Sequence, residues 1–164
     1  MLKAFSSAKE NMEKAIALKG NTWESVDSIK DIFTQSNKAH SNKAEGLDNW
    51  NDDVHFGLQR LTGTSIEVIE LYRNISLNFP VTNELLEPVL EGLTIENAIT
   101  QKRLFICDYS ILKGLTSTEG RVQCAPFGLF FVDKNGHLKP IAIQLFQDPG
   151  PDNPIFTPTD PPNT

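Results

Sequence analysis

Three histidines, two cysteines and one pair of adjacent aspartates are the side chains that could carry chemistry. His40, His55 and His137 could ligate a transition metal or move protons, yet no two of them stand three to five residues apart, so none share a helix face or a short loop. Asp52 and Asp53 could suggest paired carboxylates, but neighbours on a helix point about 100° apart and do not converge on one substrate. They read as a solvated face. Cys107 and Cys124 lie in or beside apolar stretches without C-x-x-C spacing and read as buried thiols rather than as a disulfide or metal pair. Serine and threonine are plentiful, but no Gly-x-Ser-x-Gly elbow and no glycine-rich phosphate loop frames them.

The elements that would hold these residues follow from apolar spacing. Leu2, Phe5, Met12 and Ile16 predict an amphipathic helix over the first eighteen residues, ended by Gly20. Thr22 opens a second, with Trp23, Val26, Ile29 and Phe33 on one face, and the polar stretch from Gln35 to Gly46 reads as a loop. Asp48 is the expected cap of a third helix, which carries Trp50, Val54, Leu58 and Leu61 and closes at Gly63. His55 on that helix reads as a packed or surface residue. Ser65 to Tyr72 is expected to be helical, Asn78 to Pro80 extended, and Asn83 to Leu90 helical after a Thr82 cap, shortened by Pro88.

Beyond Arg103 the pattern becomes strands: Leu104 to Cys107, Phe127 to Val132 and Leu138 to Leu145. Asp133-Lys134-Asn135-Gly136 predicts a hairpin between the last two, its Asn-Gly pair accepting positive φ. Asp108 and Tyr109 should satisfy polar groups at a strand end. Six prolines from Pro149 to Pro162 exclude helix or central strand and predict extended coil. The expected class is mainly α with a small β-hairpin or sheet, α+β.

Composition sets limits. With 15 Lys and Arg against 21 Asp and Glu, the net charge is −6, and no basic face is available for nucleic acid. Met1-Leu2-Lys3-Ala4 runs into polar residues without the apolar core of about 7–15 residues that a signal peptide needs. The apolar runs fall short of the roughly 20 residues that cross a bilayer. A soluble, cytoplasmic protein is the expectation.

Four blocks resemble consecutive blocks of animal-type lipoxygenases. The first is Thr22-Trp23-Glu24-Ser25-Val26-Asp27-Ser28-Ile29, followed by Ile32-Phe33, and the second runs from Trp50 through Phe56-Gly57-Leu58-Gln59-Arg60-Leu61-Thr62-Gly63. The third joins Phe79-Pro80-Val81-Thr82 to Leu104-Phe105-Ile106-Cys107-Asp108-Tyr109 and Leu112-Lys113-Gly114. The fourth, the most specific, is Pro140 to Leu145 with Pro149-Gly150-Pro151-Asp152-Asn153-Pro154-Ile155-Phe156-Thr157-Pro158-Thr159-Asp160. Departures from the family pattern include Leu58 in place of tyrosine, Arg60 and Thr62 in place of more usual residues, and Glu70-Leu71-Tyr72 in place of an arginine-rich segment.

The resemblance implies that residues 1–160 are the N-terminal portion of a mostly helical lipoxygenase catalytic domain, with 161–164 as a tail. It implies a family that inserts dioxygen into polyunsaturated fatty acids with non-haem iron, held by several histidines and a terminal isoleucine carboxylate. None of those ligands is matched here, and the chain resembles an interior piece ending upstream of them. No cofactor and no catalytic or metal-binding residue is therefore expected in this chain, which alone should be inactive. Phe56, Leu58 and Leu61 are similar to the helix that covers the fatty-acid channel and are the expected channel-lining residues. The alternative is a non-catalytic homologue that binds a full-length lipoxygenase or lipid; a third reading is an incomplete gene product.

Overall fold

Helix formation begins at an aspartate, but not at the expected one. The computed structural model describes residues 46–49, 51–118 and 120–161, and the chain divides into two compact units, 1–50 and 51–164. The two helices expected before Gln35 lie outside the described residues. In the first unit Gly46–Asn49 makes one helical turn that includes Asp48. In the second, α1 spans Asp53–Thr62 and is capped by Asp52, whose side chain accepts from the His55 backbone N–H at 2.6 Å. Gly63 ends it as expected.

Ser65 to Tyr72 is not a helix. A 3-10 turn at Ile66–Val68 leads into strand β1, Ile69–Leu71. Ile66, Val68 and Ile69 are β-branched, and Ile69 and Leu71 pair opposite Cys107 and Phe105, so sheet pairing overrides the helical spacing. The Thr82 side chain accepts from Leu85 N–H at the start of α2, Asn83–Leu86, which becomes a 3-10 turn at Glu87–Val89 where Pro88 has no N–H to continue the ladder. A further helix, α3 at Ile95–Thr100, was not expected, although Thr94 caps it by accepting from Asn97 N–H.

The sheet is larger than the predicted strands suggest. Strands β2 (Leu104–Asp108), β3 (Phe127–Val132), β4 (Leu138–Gln144) and β5 (Ile155–Phe156) join β1 in the order β1-β2-β3-β4-β5, every pair antiparallel. The described residues combine short helices with one antiparallel sheet, and five strands, rather than the expected helices with a hairpin and one neighbour, organise the described part of the second unit. β5 corrects the reading of the proline-rich segment as coil throughout, and its place at the sheet edge is where neighbouring prolines are tolerated. Within β3–β4, Leu129 faces Ala142 while Phe130 faces Pro140, leaving Ile141 as a bulge. Pro140 cannot donate to the ladder, and the bulge falls beside it.

Both faces of this sheet are covered, which is why its strands read as continuous apolar runs rather than alternations. Leu104, Ile106, Phe127, Leu129, Phe131 and Ile141 form the main core with Phe79, Val81, Leu86, Leu90, Ile95 and Ala98. Phe79 stacks on Phe127 with ring centroids 5.2 Å apart. Cys107, Phe130 and Leu138 make a smaller cluster with Val68, Phe105, Tyr109 and Val132. Gly57 lets α1 lie against β4: a Cβ built there would stand 1.8 Å from the Leu138 carbonyl oxygen. No described helix is long and apolar enough to cross a membrane.

Candidate functional site

Helix α1 holds the residues expected to line a channel. Phe56, Leu58 and Leu61 are all exposed, Phe56 at 42% while keeping a ring contact with the sheet, and Gly57 is the buried residue of the helix. Phe56 stacks on Phe130 at 6.2 Å and lines a cleft of 290 Å³ with Gln59, Arg60, Gly63, Thr64 and Ser65. Leu58 and Leu61 are not among the residues of that cleft. Arg60 donates to the Tyr109 hydroxyl and to the Ser65 carbonyl, tying the end of α1 to the end of β2.

The histidines remain apart. His55 is half-buried on α1 and His137 exposed at the hairpin; His40 lies outside the described residues. Nδ1 of His137 is 3.5 Å from Asp133 Oδ2, and no group of three His, Cys, Asp or Glu side chains among the described residues could share a metal ion. The donor set described does not fit an iron centre. Neither Cys107 nor Cys124 is in a disulfide; Cys107 is buried, which pushes its thiol up against a smaller opposing effect of Arg60, while Cys124 is only half-buried.

Carboxylates here do structural work. Asp108 Oδ1 accepts from Ser110 N–H at 2.7 Å and from Gln147 Nε2 at 3.1 Å, the strand-end satisfaction expected of it. At the hairpin, Asp133 Oδ1 accepts from the backbone N–H groups of Asn135 and His137, and Lys139 Nζ stands 2.9 Å from Oδ2. Only Gly136 has positive φ, at 82°, so the turn is a type I turn with glycine in the left-handed position rather than the doubly positive Asn-Gly turn. The His137 backbone N–H and then Lys139 hold the Asp133 carboxyl well below the ordinary aspartate value of 3.8. A depressed folded-state value stabilises the fold above the unfolded value and loses that stabilisation as pH falls through the folded one. Asp133→Asn should therefore lower stability at neutral pH, with the difference from the parent shrinking below about pH 4 in acid titrations followed by circular dichroism. An equal deficit at neutral and strongly acid pH would show that the charge is not what matters.

Three amide side chains escaped the sequence reading. Gln144, fully buried, donates from Nε2 to the carbonyls of Asn78 at 2.9 Å and Phe146 at 2.7 Å. Gln147 donates to the Ala125 carbonyl as well as to Asp108. Asn153 donates to the Phe146 and Asp148 carbonyls and accepts from Phe146 N–H, so its side chain pairs with Phe146 much as a strand residue would. A glutamine inside the apolar run Pro140 to Phe146 was the available signal, since a buried amide needs partners.

The lipoxygenase family model matches residues 7–160. Mouse arachidonate 12-lipoxygenase of the 12R type is 37% identical over 144 residues, covering 85% of this chain and 20% of that protein. The allene oxide synthase-lipoxygenase protein of Plexaura homomalla is 33% identical over 158 residues, with 83% and 15% covered. Among solved structures, a lipoxygenase in complex with arachidonate superimposes with a TM-score of 0.82 at 32% identity, over 94% of this chain and 24% of that one. Coral 8R-lipoxygenase does so with a TM-score of 0.74 at 32% identity, with the same coverage. The chain belongs to the lipoxygenase family. It spans about a quarter or less of the length of these relatives.

Proposed function

We propose that this chain is the sheet-bearing part of a lipoxygenase that adds dioxygen to a polyunsaturated fatty acid, and that it supplies scaffold and channel wall rather than the iron. The match across residues 7–160 carries the reading. The scattered histidines support the second half of it: alone, the chain binds no iron and oxidises nothing. Phe56, Leu58 and Leu61 form the wall that meets the acyl chain, a role their exposure on α1 favours.

The test is a graft of this chain in place of the matching segment of the mouse 12R-type enzyme, with iron content and arachidonate-dependent oxygen uptake measured. The graft should take up oxygen within about tenfold of its parent, and the isolated chain should hold no iron. Leu61→Trp in the graft should change the product pattern. A folded, iron-loaded graft without activity would defeat the reading, as would stoichiometric iron in the isolated chain. A second reading, a non-catalytic module that binds a full-length lipoxygenase or lipid, is favoured by the exposed apolar residues of α1 and predicts co-purification with a full-length relative.

A further inference from the structure

The chain holds a single Asn-Gly pair, Asn135-Gly136, and it stands at the exposed tip of the β3–β4 hairpin. Asparagine before glycine carries a reaction of its own: with no Cβ on the second residue, the glycine nitrogen can reach the asparagine side-chain carbon. Gly136 N would bond to Asn135 Cγ and pass its proton through solvent to Nδ2, which leaves as ammonia when the Cγ–Nδ2 bond breaks. A five-membered succinimide results. Water then opens the ring, adding OH to one carbonyl carbon and H to the ring nitrogen, and the product is aspartate or isoaspartate. Nothing is oxidised or reduced.

Every backbone N–H of the turn is held. Lys134 N–H donates to Glu91 Oε2 at 3.0 Å, those of Asn135 and His137 to Asp133 Oδ1 at 2.8 and 2.9 Å, and that of Gly136 to the Asp133 carbonyl at 3.0 Å. Glu91 and Asp133 are in turn anchored by Arg103 at 2.7 Å and Lys139 at 2.9 Å. Asn135 is the third residue of this type I turn, where ψ lies near 0°. Ring closure needs Cβ and the glycine nitrogen nearly eclipsed about the Cα–C bond, and since N and Cβ are set about 120° apart on Cα, that ψ is about 120° away. The folded turn therefore keeps the nucleophile bonded and turned aside. A Cβ built on Gly136 would meet nothing within 4 Å, so the tip itself is open to solvent. We propose that Asn135 is a modification site, held latent by the Asp133 and Glu91 latches and deamidated when the hairpin opens. The product records the opening: it sets a new carboxylate near those of Asp133 and Glu91, and isoaspartate adds a methylene to the backbone of a turn whose bonds depend on residue spacing.

The test incubates the full chain in mildly alkaline buffer, with and without a denaturing concentration of urea. Deamidation is followed peptide by peptide by mass spectrometry, with the aspartyl and isoaspartyl products separated by chromatography and circular dichroism to establish folding. Asn135 should react first among the asparagines in urea, and at least about tenfold more slowly in the folded chain. Gly136→Ala should slow the reaction in urea, because its Cβ crowds the attacking nitrogen. Asp133→Ala and Glu91→Ala, where folded, should each react severalfold faster than the folded parent; should neither fold, the parent with and without urea decides. Equal rates in the folded and unfolded parent would overturn the proposal, as would folded variants no faster than the parent. Another asparagine reacting ahead of Asn135 in urea would remove the site. The deamidated chain, returned to native buffer, should exchange its amide hydrogens over residues 133–137 faster than the parent, and equal exchange would remove the record of opening.

Discussion

Gly57→Ala should cost about 3 kcal/mol or more, because the new methyl would have to occupy space 1.8 Å from a backbone oxygen of β4. Alanine is otherwise the better helix former, so propensity alone would favour the substitution by about 1 kcal/mol. Sterics decide the sign. The neighbour is the Leu138 carbonyl, part of the main chain of β4, and it cannot rotate away as the end of a side chain could. The helix must lift, taking Phe56 from Phe130 and Arg60 from Tyr109. Denaturant unfolding together with hydrogen exchange should show a lower midpoint and early loss of protection over Asp53–Thr62. A midpoint equal to that of the parent would mean that α1 does not sit on β4 as described.

Gln144→Ala should be nearly as damaging, at about 2–4 kcal/mol. One amide nitrogen serves the carbonyls of Asn78 and Phe146, and the side chain has no exposed surface. Truncation removes both bonds, leaves two acceptors short of a donor and opens a void beside Phe127, the residue paired with Gln144 on β3. Gln144→Glu separates these effects: it keeps the volume but replaces the donor with an acceptor facing two carbonyls. It should destabilise strongly at neutral pH and recover in part on acidification, as protonation restores a donor. Thermal melts of both variants across pH would test this, and a glutamate variant indifferent to pH would remove the hydrogen-bond account.

The strands of the central hairpin were legible because their signals are local. Phe127 to Val132 and Leu138 onward are apolar runs separated by a turn sequence. β1 was not legible, because Ile69-Glu70-Leu71 fits a helix or a strand and only the partner Phe105 to Cys107 decides between them. β5 is two residues long and exists because Asn153 turns the chain back onto β4, a tertiary fact that no local pattern encodes. The cap at Asp52 rather than Asp48 is a choice between two good caps four residues apart. For the candidate site, family-like blocks placed Phe56, Leu58 and Leu61 on one helix. They could not tell that Gly57 would take the buried position, with Leu58 and Leu61 about half exposed and Phe56 stacked on Phe130.

The strand order β1-β2-β3-β4-β5 has a consequence for how the chain acquires this fold. Each strand is laid against the one synthesised just before it, so no ladder waits for a distant partner and each closure costs only the entropy of the loop between neighbours. A nascent chain can add strands in the order in which they leave the ribosome. The last addition, β5, pairs with only Ile143 and Gln144 at one end of the β4 edge, while α1 lies against the other end at Leu138.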